Sequence, residues 1–165
     1  MKAVEEKTNR IRKGAGGGAA LDDVDRRLLS LIAADATRSY AALGEALHLS
    51  APAVHERVKR LKQDGVIKGT VAVLDGPAIG RPLLAFIQVK TRNWATTLEQ
   101  NDFTGLPDIE EVHTITGQSD VLLKVRTRDT QALEEILARI QGFEGIDGTH
   151  CIVALSTYLE RGPSP

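Results

Sequence analysis

The sequence predicts an α+β protein in two parts, an N-terminal three-helix domain of helix-turn-helix type and a C-terminal ferredoxin-like domain of β-α-β-β-α-β order. Three observations carry this. Residues 21–64 place apolar side chains at helical spacing in three short runs, the last opening at Ser50. Residues 83–159 hold four short runs with strand character and two helical ones. Between the two stretches, Gly76, Pro77, Gly80 and Pro82 break regular structure.

Taking the elements in order, Leu21, Val24, Leu28 and Leu31 or Ile32 mark the first helix, which Asp22 or Asp23 can cap. In the second, Tyr40, Leu43 and Leu47 share one face, and Ala42 and Ala46 are small enough to let another helix approach. After His48 and Leu49, the Ser50 hydroxyl can accept a free amide hydrogen of the third helix, with Pro52 in the first turn where no donor is needed. Val54, Val58 and Leu61 form its buried stripe. Gly65 ends it, and Val66 to Val73, VIKGTVAV, reads as a strand.

In the second part, Leu83 to Thr91 is a strand, Trp94 to Asp102 a helix and Ile109 to Thr116 a second strand. Gly117 to Asp120 turns into a third, Val121 to Thr127. Asp129 caps a helix to about Gln141 with Leu133, Ile136, Leu137 and Ile140 on its apolar face, and Thr149 to Leu159 is the last strand. The expected organisation is a flexible tail at 1–20, a helix-turn-helix domain at 21–68, a hinge strand and linker at 69–82 and a ferredoxin-like domain at 83–162.

Composition narrows the function. With 165 residues and 42% apolar content the chain can bury a core, and its formal net charge of −1 hides an asymmetry. Residues 1–68 carry 13 Lys plus Arg against 9 Asp plus Glu, whereas residues 69–165 carry 8 against 13. Polyanion binding is therefore favoured where the helix-turn-helix lies. Cys151, the single cysteine, excludes an intramolecular disulfide and a multi-cysteine zinc site. No apolar run approaches membrane-spanning length and the N-terminus lacks a signal-peptide core, so a cytoplasmic protein without membrane association is expected. The glycine run at 14–19 follows no strand and reads as linker rather than dinucleotide fingerprint, and Lys2, Lys7, Arg10, Arg12 and Lys13 in the tail are available to phosphates.

The second helix of a helix-turn-helix can enter a DNA major groove. Here it distributes His55, Glu56, Arg57, Lys59, Arg60 and Lys62 over its non-apolar surface. Arg57 and Arg60 are the expected guanine or phosphate contacts, Lys59 and Lys62 phosphate contacts, and His55 either. Glu56 would read cytosine or orient an arginine. Ser39, Ser50, Ala51 and Ala53 complete the expected DNA-facing set. An ordinary solvated basic face is the alternative.

Three blocks, LDDVDRRLLSLI, LSAPAVHERVKRLKQDGVIKG and HTITGQSDVLLKV, occur in the order and at the spacing of the leucine-responsive and asparagine-responsive (Lrp/AsnC, feast/famine) transcription regulators, which the chain resembles from residue 21 to about 160. The resemblance implies a regulator with a DNA-binding domain and a C-terminal domain (the RAM domain) that dimerises, assembles further, commonly to octamers, and binds small effectors, usually amino acids, between dimers. It places the effector region at Thr114, Thr116, Gly117, Gln118, Ser119, Asp120, Thr130, Ile152 and Val153. Asp120 would receive an ammonium group, and amides near Gly117 and Gln118 would hold a carboxylate. A plain hairpin also requires this turn, with Gly117 at positive φ. Gln118 and Ser119 stand where many members carry an acidic residue and an aromatic, which changes the ligand that fits.

The expected partners are thus double-stranded DNA, a small amino-acid-like effector and further copies of the chain. No catalytic residue, metal or cofactor is expected: His113, His150 and Cys151 lack metal-motif spacing and read as strand packing. The alternatives are an enzyme resembling sirohaem decarboxylases, which share the architecture, and a protein that coats DNA without reading it.

Overall fold

The computed structural model describes residues 20–165; the expectations for the tail and its basic residues lie outside them. The described chain divides into two compact units, helical up to residue 72 and α/β from residue 73 to 158.

The helical unit consists of α1 (Asp23–Ala34), α2 (Tyr40–Leu47) and α3 (Ala51–Gln63). Each opens on a side-chain oxygen that accepts a first-turn amide. Asp22 accepts from Asp25 N, Ser39 from Ala42 N and Ser50 from Ala53 N. Leu28, Leu43, Leu47, Val54, Val58 and Leu61 bury one shared core, joined at its edge by Val66 and Ile67. The closest approach to α2 falls at Gly44, where a Cβ would stand 2.5 Å from the carbonyl oxygen of Leu49 in the turn leading to α3. Ala42 and Ala46, expected to permit that approach, are exposed, because the buried face runs through Leu43, Gly44 and Leu47. His48 ends α2 in the left-handed region at φ 56°, turning the chain into α3.

The stretch expected as a hinge strand forms none. Residues 68–75 pair with no strand, and Val71 and Val73 stand 85% and 90% exposed. Strand geometry needs a neighbour to complete the ladder, and no described residue supplies one.

In the α/β unit, β1 (Leu83–Thr91), β2 (Ile109–Thr114), β3 (Val121–Thr127) and β4 (Ile146–Val153) form one antiparallel sheet in the order β2-β3-β1-β4. With α4 (Trp94–Gln100) after β1 and α5 (Thr130–Gln141) after β3, this is the ferredoxin-like arrangement. Alternate residues of β1 and β3, Ala85, Ile87, Val89, Val121, Leu123 and Val125, pack with Leu133, Ile136 and Ile140 of α5. β4 begins three residues before Thr149 and stops at Val153 rather than Leu159, its pairing with β1 running from Thr91↔Ile146 to Ala85↔Val153.

Candidate nucleic-acid interface and effector region

Burial of Val54, Val58 and Leu61 turns the opposite side of α3 outward. His55, Glu56, Lys59 and Lys62 are all exposed there. His55 Nδ1 lies 3.5 Å and Lys59 Nζ 3.9 Å from the Glu56 carboxylate. Such exposed pairs are weak and readily exchanged for other partners. The His55 ring sits 5.3 Å from that of Tyr40, at the start of α2. Ser39 and Ser50 serve as N-caps, and Ala51 and Ala53 lie half-buried in the first turn of α3.

Arg57 and Arg60, also on α3, meet acids of the helical unit. Arg57 Nη1 donates to Asp22 Oδ2 at 2.7 Å and to Asp25 Oδ1 at 2.8 Å, tying α3 to the start of α1. Arg60 Nη2 donates to the other oxygen of Asp25. The Asp25 side chain is only 1% exposed and also accepts the Asp22 amide, closing a reciprocal capping box. The hydrogen bonds that it donates to Asp22 and then Asp25 hold the Arg57 guanidinium above its usual pKa range, and the Arg57 bond holds Asp22 below the usual carboxylate range. Sequence reasoning missed this cluster, because Asp25 reads as a solvent-facing acid of the first turn. The spacing of Asp22 and Asp25, three residues apart ahead of an apolar run, was the available signal.

At the other end of the chain, the turn between β2 and β3 is held from within. Ile115 N donates to Asp120 O at 2.9 Å and Asp120 N to Val89 O at 3.0 Å. Asp120 Oδ2 accepts the Thr91 amide at 2.8 Å and the Thr91 hydroxyl at 3.3 Å, with Lys90 Nζ at 3.5 Å. The Thr91 amide, then Lys90, keep this carboxyl below its usual range. The carboxylate expected to meet an ammonium group is therefore engaged inside the chain. Gly117 adopts φ 119°, as the hairpin requires.

One chain does not bring the predicted effector positions together. Thr114 to Asp120 lie at the end of the sheet where Val89 pairs Val121, whereas Thr130 follows the Thr127↔Leu83 pair at the opposite end. Ile152 and Val153, both exposed, pair with Phe86 and Ala85 on the edge strand β4. From Val89 to Ala85 the strand advances roughly 13 Å. A cleft of about 340 Å³ bounded by Arg81, Asp108, Arg128, Glu135 and Arg139 includes none of these positions.

Two family models match the chain: the AsnC-type helix-turn-helix domain over residues 21–62 and the Lrp/AsnC ligand binding domain over residues 84–164. The HTH-type transcriptional regulator FL11 of Pyrococcus furiosus is 31% identical over 145 residues, covering 88% of this chain and 96% of its own. The chain belongs to the Lrp/AsnC family. Its fold matches the structure of Escherichia coli AsnC with a TM-score of 0.81 at 25% identity, over 89% of this chain and all of that one. The feast or famine regulatory protein Rv3291c of M. tuberculosis, solved with L-methionine, matches with a TM-score of 0.79 at 30% identity, over 88% of this chain and all of that one.

In this Lrp/AsnC chain, the residues weighed above as metal ligands lie on β2 and β4. His113 Nε2 lies 2.7 Å from Glu111 Oε2. His150 and Cys151 pair with Gln88 and Ile87, so they fall on opposite faces, and Cys151 packs against the core while burial raises its thiol pKa. Among the described residues no group of three or more His, Cys, Asp or Glu is placed to hold a metal ion. No helix among them is long and apolar enough to cross a membrane.

Proposed function

We propose that the chain is a sequence-specific DNA-binding transcription regulator that works as an assembly of copies and answers to a small amino-acid effector. The observation that carries the first part is the outward face of α3. His55, Glu56, Lys59 and Lys62 have no part in the helical core, while Val54, Val58 and Leu61 hold the helix on its scaffold. Lysines on such a face neutralise phosphates, and a histidine and a carboxylate near the helix start can address base edges. The naming of FL11 as a transcriptional regulator supports this reading.

Two copies held by symmetry would present α3 to successive major-groove faces about 34 Å apart, so the binding energies of two half-sites combine. The effector part is supported by the ligand binding domain match and by the L-methionine bound to Rv3291c. The separation of Thr114–Asp120 from Thr130, Ile152 and Val153 favours a site made by more than one copy. Such a ligand alters DNA binding only through unequal affinity for two assembly states.

The test is selection of bound fragments from a random DNA pool, with and without a mixture of amino acids. Enriched palindromes whose yield changes with the mixture are the expected result. A pool that emerges unenriched removes sequence-specific binding, and enrichment indifferent to every amino acid, with no change of mass in light scattering, removes the effector.

A further inference from the structure

Asp25 is the one fully buried acid among the described residues, and it is gripped by two arginines of α3. Arg57 uses one Nη on both Asp22 and Asp25, and Arg60 uses one on Asp25 while its side chain stays 50% exposed. Guanidinium groups grip a phosphate with the same charge-assisted N–H···O bonds that they make here to a carboxylate. Both arginines lie on the helix whose remaining cations, Lys59 and Lys62, carry no comparably buried partner.

We propose that Asp25 acts as an internal surrogate for a DNA phosphate, withholding Arg57 and Arg60 from the duplex and leaving the electrostatic attraction of α3 to its lysines. The proposal rests on the DNA-binding reading above. Each phosphate that a protein neutralises strengthens binding to every sequence alike, so two further arginines per copy on phosphates would raise non-specific affinity. For Arg60 to move to a phosphate it must leave a carboxylate that has almost no contact with water. The pair thereby serves both as the clamp between α1 and α3 and as a limit on indiscriminate binding.

The salt dependence of binding to a random-sequence duplex tests this on the full chain, comparing the wild type with Lys59→Gln, Lys62→Gln, Arg60→Gln and Asp25→Asn. Each lysine variant is expected to flatten the plot of log affinity against log salt by about 0.9 per copy, and Arg60→Gln to leave its slope unchanged. Asp25→Asn, with its fold checked by circular dichroism, is expected to steepen the slope by roughly 0.9 for each arginine released and to bind random DNA more tightly. A residue with a purely structural role would lower the melting temperature and leave the slope alone.

Flattening by Arg60→Gln equal to that of a lysine variant overturns the proposal, as does an unchanged slope in folded Asp25→Asn. If Asp25→Asn does not fold, Arg60→Gln decides alone. A wild-type chain that binds no duplex overturns the DNA-binding reading and this inference with it, whereas normal wild-type binding with a contributing Arg60 overturns only the inference.

Discussion

Thr91 donates its amide hydrogen to Asp120 Oδ2 at 2.8 Å, fastening the β2–β3 turn to the last residue of β1. The Thr91 hydroxyl adds a longer bond to the same oxygen, at 3.3 Å. Removing the carboxylate leaves a largely buried amide without its acceptor, which costs more than losing one hydroxyl. Asp120→Ala should therefore lower the melting temperature by several degrees and Thr91→Ala by less. Thermal melts monitored by circular dichroism check the order, and equal or inverted shifts would contradict it.

Gly44 lies inside α2, where alanine ordinarily favours a helix by about 1 kcal/mol. The short distance from its would-be Cβ to Leu49 O reverses that sign. Gly44→Ala should destabilise the helical unit by about 1–3 kcal/mol, as overpacking does. Urea titration is the measurement, and a variant as stable as the wild type would show that the turn can move aside.

His48 pays a steric penalty at φ 56° that glycine does not. His48→Gly should raise stability by up to about 1 kcal/mol, with no loss of affinity for a selected operator. A lowered denaturation midpoint would mean that the histidine side chain contributes contacts outweighing its backbone strain.

Leu28 is completely buried in the helical core. Leu28→Ala should cost about 2–5 kcal/mol, much of the stability that so small a unit possesses. Because the two units have separate cores, calorimetry should show the helical transition moving down while the α/β transition stays in place. A single transition shifting as a whole would refute that independence.

Several carboxyls are held below their usual pKa range: Asp22 by Arg57, Glu111 by His113, Asp120 by the Thr91 amide and Asp129 by the Ala132 amide. A depressed pKa in the folded state contributes stability that is fully present above the unfolded value, about 4, and is lost as pH falls through the folded value. Denaturation midpoints should thus be insensitive to these groups near neutrality and fall below about pH 4. Asp22→Asn should flatten that fall, and an unaltered acid limb would remove Asp22 from the account.

Much of this molecule was legible residue by residue. The apolar stripe Val54, Val58, Leu61 and the bounds of β1, β3 and α5 follow from side-chain spacing and from the caps Ser50 and Asp129, all of which act within a few residues. The limits of β4 and the missing hinge strand were not, since a ladder depends on what lies beside it. The effector positions were read as one region, but sheet register sets them toward opposite ends of one sheet.

By itself the sequence determined the two-part architecture and which face of α3 is apolar, because helical and strand periodicities and capping are short-range properties of the chain. Only the tertiary structure decided which acids the arginines of that helix meet. The bond from Arg57 to Asp22 joins residues 35 apart, and the partner of a charge is set by packing rather than by its neighbours in sequence. The same holds for Asp120, whose role in the turn became visible only when β1 was placed beside it.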